Sequence, residues 1–374
     1  MLVIVDDKIP FIKGVLEPFM DVQYIQGTQI TQKVARDADA LIVRTRTQCN
    51  AELLEGSKVR FIATATIGYD HIDVEYCRMK GINWTNAAGS NSGSVMQYVA
   101  AALLEYAIEK KINLQKRVLG VIGAGNVGKK VIRLAESLCM GVVINDPPRS
   151  RSEGHCGFVS LEGILREADI ITLHVPLIKT GEDQTLHLID DALLGKINKG
   201  TILINTSRGE VVDSVALKKA FNADRLSTAI LDVWENEPYI DKELLNSIFI
   251  GTPHIAGYSV DGKAKATTMA VNALSRYFHL GIEDWEPFDI PEPENRMIQF
   301  DAKDKSLQEI FNYLVKFTYD IRKDDIALRL LPNDFENYRG NYPVRREFSA
   351  FQIIIKNLSE ENKIALIRAG FNIL

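Results

Sequence analysis

Residues Val118–Ile122 form a short apolar run that leads directly into Gly123-Ala124-Gly125-Asn126-Val127-Gly128. The next stretch carries Val131, Leu134, Ala135 and Leu138 at helical spacing. A strand, a glycine-spaced turn and a helix in that order leave few possible folds. Gly123 permits the tight turn, Gly125 lets backbone approach a pyrophosphate, and Gly128 lets the helix pack closely on the strand. The free N–H groups at the start of the helix then face the phosphates. Asp146 follows the next apolar run, Gly141–Ile144, at the spacing where a carboxylate accepts hydrogen bonds from the adenine ribose. Gly123, Gly125, Asn126, Val127, Gly128 and Asp146 are therefore expected to bind NAD. A carboxylate at Asp146 disfavours the 2′-phosphate of NADP, although Arg149 and Arg151 stand close by as a counterweight.

The same rhythm extends on both sides of this unit. Upstream, Leu2–Val5, Ala40–Arg44 and Phe61–Ala65 read as buried parallel strands, with helices expected over Phe11–Met20 and Gln29–Arg36. A long helix is expected over Ser92–Lys110. Downstream, strands are expected at Ile170–Leu173, Thr201–Asn205, Thr228–Leu231 and Ile248–Gly251, which completes a six-stranded, mostly parallel sheet. From Trp285 to Pro293 three prolines and several acids suit an extended linker. Beyond it, a helix over Lys305–Phe317, a strand over Phe348–Lys356 and a helix over Ser359–Ala369 suggest a small α+β appendage.

At 374 residues the chain is long enough for two or three cores, and 46% hydrophobic with 25% charged residues is an ordinary globular balance. A net charge of −5 argues against a general nucleic-acid binder. The four cysteines, Cys49, Cys77, Cys139 and Cys156, form no pair or His cluster at zinc-ligand spacing, and no metal is called for. Met1–Val5 lacks the basic flank of a signal peptide, so a cytoplasmic location is expected.

Of the six histidines, His254 stands out because it follows a strand, at the carboxyl edge of the sheet where doubly wound folds bind ligands. Two other strand ends deliver Asn205-Thr206-Ser207-Arg208-Gly209 and Asp232-Val233-Trp234-Glu235-Asn236-Glu237 to the same side. A histidine beside carboxylates and an arginine suits chemistry that removes a hydroxyl proton while a cation holds an anionic substrate.

With these motifs and Gly68-Tyr69-Asp70-His71-Ile72-Asp73, about the first 280 residues resemble the D-isomer-specific 2-hydroxyacid dehydrogenases. The resemblance implies that His254 is the acid/base, that Glu237 hydrogen-bonds it and favours its protonated form, and that Arg208 orients the substrate. It implies His174 and Asp232 on the nicotinamide side, with Thr206, Ser207 and Gly257 also in the cofactor site. It further implies an α/β fold with a Rossmann NAD-binding domain, residues 95–254, inserted in a flavodoxin-like substrate domain, residues 1–94 and 255–284. Substrate would bind in the cleft, and closure would exclude water.

The segment Asn341-Tyr342-Pro343-Val344-Arg345-Arg346-Glu347-Phe348, with Ala88-Gly89-Ser90-Asn91 and Gly257-Tyr258-Ser259, narrows the resemblance. It is similar to members that oxidise a phosphorylated four-carbon hydroxy acid in vitamin B6 synthesis and form homodimers through a C-terminal α+β domain, here residues 285–374. That similarity implies substrate contacts at Thr45, Thr66 and Tyr258. Arg44, Arg46 or Arg346 is expected to meet the substrate phosphate, Arg346 from a partner subunit in one version. The alternatives are another D-2-hydroxyacid dehydrogenase, such as one acting on phosphoglycerate, and an NAD-sensing binding protein of the same fold.

Overall fold

In the computed structural model, which describes residues 1–282 and 284–374, the uninterrupted apolar runs become the central strands of parallel sheets. The chain divides into two compact units, Met1–Asn91 with Ser259–Pro291, and Ser92–Tyr258 with Glu292–Leu374. The C-terminal appendage thus groups with the glycine-turn unit.

The first unit carries the parallel sheet β2-β1-β3-β4-β5, built from β1 (Leu2–Asp6), β2 (Asp21–Ile25), β3 (Ala40–Val43), β4 (Phe61–Thr64) and β5 (Asn83–Asn86). Every residue of β3 and β4 is buried, as befits strands covered on both faces. The helix Val260–Phe278 covers one face, packing on β4 and β5, with Tyr277 stacked on Phe61 at 4.8 Å between ring centroids. Val43 and Thr64 are register partners, so the segments after β3 and β4 leave the sheet side by side.

Two helices expected in this unit differ from what forms. Phe11–Met20 is a series of turns, because Pro10 precedes it, Pro18 interrupts it, and Gly14 and Phe11 adopt positive φ of 82° and 63°. Over Gln29–Arg36 only Gln32–Ala35 is α-helical, preceded by a 3-10 turn at Gly27–Gln29.

The second unit contains the six-stranded parallel sheet β11-β10-β9-β8-β6-β7. Its strands are β6 (Val118–Ile122), β7 (Gly141–Asn145), β8 (Ile170–Leu173), β9 (Thr201–Asn205), β10 (Leu226–Leu231) and β11 (Ile250–Gly251). The helix Asn126–Ser137 buries Val131, Leu134 and Ala135 while Lys129 and Arg133 stay on the other face. Each large apolar side chain so buried contributes about 1.5–3 kcal/mol.

The appendage adds a second parallel sheet, β12 (Met297–Asp301), β13 (Gln352–Lys356) and β14 (Asn372–Ile373), with β13 central. The strand expected over Phe348–Lys356 starts only at Gln352, because Phe348–Ala350 forms a 3-10 turn whose first ring stacks on Phe371 at 4.1 Å. The helix Ile321–Leu330 packs against β11 at the edge of the larger sheet. Asp325 there accepts the Gly251 N–H at 2.8 Å, and Arg329 donates to the carbonyls of Leu245 and Ile248. An edge strand that would otherwise present unpaired backbone is capped by side chains.

Candidate active site

The glycine turn has the shape a dinucleotide needs. Gly123 has φ of +89°, and a Cβ there would press on the His174 carbonyl oxygen at 2.5 Å. A Cβ on Gly128 would overlap the Gly123 carbonyl, so only glycine lets helix and strand meet. Above Gly125 nothing lies within 4 Å of a Cβ, and no side chain caps the start of the helix Asn126–Ser137. Open space beside uncapped N–H donors fits the pyrophosphate of NAD.

Asp146, one residue beyond β7, accepts from the Ala124 N–H at 2.8 Å and caps the helix Pro147–Glu153. The two neighbouring arginines are engaged with acids. Arg149 forms a two-pronged pair with Glu153, and Arg151 pairs with Glu182 and Asp183. With both arginines occupied by acids, the counterweight they offered to a carboxylate at Asp146 is reduced.

Three loops at the carboxyl ends of β9, β10 and β11 build the polar site. Among the described residues, Arg208, Gly209, Glu210, Glu235, Glu237 and His254 line one pocket of about 300 Å³ with Trp234 and Asn236. A Cβ on Gly209 would overlap the Trp234 carbonyl, so this glycine lets the arginine loop lie against the glutamate loop. His254 Nδ1 sits 2.7 Å from Glu237 Oε2, while Glu237 Oε1 accepts the Trp234 N–H at 2.8 Å. Burial acts to raise the Glu237 carboxyl, yet the charge and hydrogen bond of His254 and the Trp234 N–H hold it below the usual range. Arg208 donates to the Ser207 carbonyl at 2.8 Å and reaches the same pocket.

His254 takes a positive φ of 56°, unusual for a side chain of its size. Asp232 enforces it. The Asp232 carbonyl accepts the His254 N–H at 2.7 Å, and its carboxylate accepts from Thr252 Oγ1, Ile255 N and Ala256 N. Burial pushes the Asp232 carboxyl up, against the pull of His254 and of these hydrogen bonds. Asp232 thus shapes the histidine loop that also presents Gly257 and Tyr258.

His174, after β8, is bracketed by Thr172 Oγ1 at 3.0 Å and Thr206 Oγ1 at 3.3 Å, and burial lowers it to about 3. This setting favours the neutral imidazole, held between two hydroxyls. Ser207 turns inward to Asn205 Oδ1 at 2.8 Å. In the first unit Thr66 Oγ1 meets Thr64 Oγ1 at 2.6 Å and donates to the Gly68 carbonyl, while Thr45 is exposed beside half-buried Arg44 and exposed Arg46. Arg346 is nearly buried, with Glu292 at 3.9 Å.

One residue near the pocket escaped the sequence reading. The Arg339 guanidinium, from the appendage, lies 5.5 Å from the Tyr258 ring centroid. A lone arginine on a short polar helix gives no local signal, and only the tertiary path brings it there.

Comparison with known proteins agrees with this geometry. The family model described as the D-isomer specific 2-hydroxyacid dehydrogenase, NAD binding domain matches residues 96–256, and a domain family of unknown function matches residues 290–367. A protein of Bacteroides thetaiotaomicron named erythronate-4-phosphate dehydrogenase is 47% identical, covering 95% of this chain and 99% of its own length. One of the same name from Bacteroides fragilis is 48% identical over 95% and 99%. The NAD-bound 3-phosphoglycerate dehydrogenase structure from Entamoeba histolytica is 26% identical with a TM-score of 0.64, covering 78% of this chain and 99% of its own. The chain belongs to the D-isomer-specific 2-hydroxyacid dehydrogenases and is an NAD-dependent dehydrogenase.

Proposed function

We propose that the chain oxidises 4-phospho-D-erythronate to 2-oxo-3-hydroxy-4-phosphobutanoate in vitamin B6 synthesis. The observation that carries the chemistry is the 2.7 Å contact of His254 with Glu237 in a pocket shared with Arg208. The substrate is suggested by the relatives' name and their match along nearly the whole chain.

In this reading Arg208 binds the substrate carboxylate and polarises the carbonyl as it forms. His254 accepts the hydroxyl proton through Nε2, and Glu237 on Nδ1 stabilises the imidazolium that results. NAD, held by Gly123–Gly128 and Asp146, supplies the hydride acceptor. His174, Thr206, Ser207, Asp232 and Gly257 are assigned to the cofactor side. Tyr258, with Thr45 and Thr66 at adjacent strand ends of the first unit, is assigned to substrate contact, and Arg44 and Arg46 to its phosphate.

We also assign the chain a homodimer through the appendage and a cytoplasmic location. Exposed Met297, Tyr313, Phe317 and Ile354 on the appendage support the first, and four free thiols suit a reducing compartment. No helix among the described residues is long and apolar enough to cross a membrane.

The test is NADH formation with 4-phospho-D-erythronate and D-3-phosphoglycerate run in parallel. Preference for the erythronate ester is expected. Preference for phosphoglycerate would keep the chemistry and overturn the substrate.

A further inference from the structure

Arg339 belongs to the six-residue helix Phe335–Gly340 of the appendage, far in sequence from the three loops of the pocket. Its Nη1 pairs with Glu336 at 3.0 Å, and its guanidinium rests near the Tyr258 ring at 5.5 Å and the Phe335 ring at 5.7 Å. Its Nε is buried with no hydrogen-bond partner among the described residues. Tyr342 closes the other side of Tyr258, edge-on at 5.9 Å. Tyr258 is thus held between an arginine and a tyrosine that both come from the appendage.

We propose that Arg339 is a positioning residue of the hydroxy-acid site, seating Tyr258 and biasing the Glu237–His254 pair towards its proton-accepting form. This rests on the assignment of Glu237 and His254 as the acid/base pair. Burial works against the Arg339 charge, but Tyr258 and the carboxylates of Glu237, Glu336 and Asp232 around it favour it. The interaction is mutual, since the arginine also helps keep Glu237 ionised.

The sign of the effect follows from charge alone. Oxidation requires the pair to begin without its extra proton, so that His254 can receive one from the substrate hydroxyl. A fixed cation nearby makes that extra proton less welcome, and removing the cation makes it more so. Among the described residues, the other ionisable groups near the pair are Arg208, Glu210 and Glu235 on the pocket wall, His187 paired with Glu235, and Asp232 beneath the histidine loop. None of them changes in an Arg339 variant.

The experiment measures single-turnover oxidation of 4-phospho-D-erythronate against pH for the full chain, Arg339→Gln, Arg339→Lys and His254→Gln. Loss of the cation is expected to move the alkaline-rising limb to higher pH by about half to one unit and to raise KM. Arg339→Lys should keep the limb near its original position while leaving KM raised, because the charge stays and the planar contact with Tyr258 goes. A limb unmoved in folded Arg339→Gln, or moved as far in Arg339→Lys, overturns the proposal. If Arg339→Gln does not fold, the lysine variant decides. Turnover that survives in His254→Gln would instead sink the underlying acid/base assignment.

Discussion

Arg345 donates a hydrogen bond from Nη2 to the carbonyl of Ala256, two residues beyond His254. The same nitrogen reaches the Ser94 carbonyl at 3.4 Å, and its guanidinium lies 4.5 Å from the Tyr319 ring. Next to it, the Arg346 carbonyl accepts from Gln97, and Glu347 accepts from Ser94 Oγ at 3.0 Å. One tripeptide of the appendage therefore grips both the start of the helix Ser92–Glu109 and the histidine loop. The appendage is part of how the histidine loop keeps its shape.

Arg345→Ala should consequently destabilise the second unit by about 2–4 kcal/mol, because buried carbonyls lose their donor. Turnover should fall at least about tenfold, with NAD affinity much less affected. Urea unfolding and NAD titration of the full chain check this. A stable variant with normal turnover would show that the grip is incidental.

Gly125 and Gly128 should respond differently to alanine. Open space at Gly125 predicts a variant as stable as the parent that binds NAD at least about tenfold more weakly, since the new methyl sits where the pyrophosphate approaches. At Gly128 the methyl overlaps the Gly123 carbonyl, so stability and affinity should fall together. Thermal unfolding with and without NAD separates the two.

His174 gives a pH dependence with a defined sign. Burial lowers it to about 3, while in the unfolded chain it titrates near 6.5. Between those values only the unfolded chain binds the proton. Its contribution to stability is therefore present above about pH 6.5 and is lost as the pH falls below it. Between pH 7 and 5.5 the loss should be about 1 kcal/mol larger in the parent than in His174→Asn. Equal losses in denaturant unfolding would contradict a lowered His174.

The thiols offer a direct check on burial. Cys139 and Cys156 are exposed, whereas Cys49 and Cys77 are buried, and burial pushes the Cys49 thiol up to about 12. A colorimetric thiol reagent at pH 8 should modify two groups in the native protein and four after denaturation.

In the five-stranded and three-stranded sheets, what is legible in the sequence depends on where each strand lies, whereas in the six-stranded sheet the apolar edges β7 and β11 are legible too. β1, β3 and β4 were expected because central strands are apolar throughout. The sequence reading missed β2 and β5, the two edges of the five-stranded sheet, whose Asp21-Val22-Gln23 and Asn83-Trp84-Thr85-Asn86 are too polar to stand out. The smaller sheet repeats the lesson, with central β13 anticipated and edge β12 and β14 missed. The site divides in the same way. Arg208, Glu237 and His254 each follow a legible strand and carry a local motif, and the structure brings them to one pocket. Arg339 and Arg345 make contacts that span the fold, and no local spacing tells what either side chain touches.

The most direct test of the account is formation of enzyme-bound NADH in a single turnover with 4-phospho-D-erythronate, comparing the parent chain with His254→Gln and Glu237→Gln. The His254 variant is expected to bind NAD normally but to form NADH at least about a thousandfold more slowly, with Glu237→Gln slowed less. NADH formed at the parent rate by His254→Gln would contradict it.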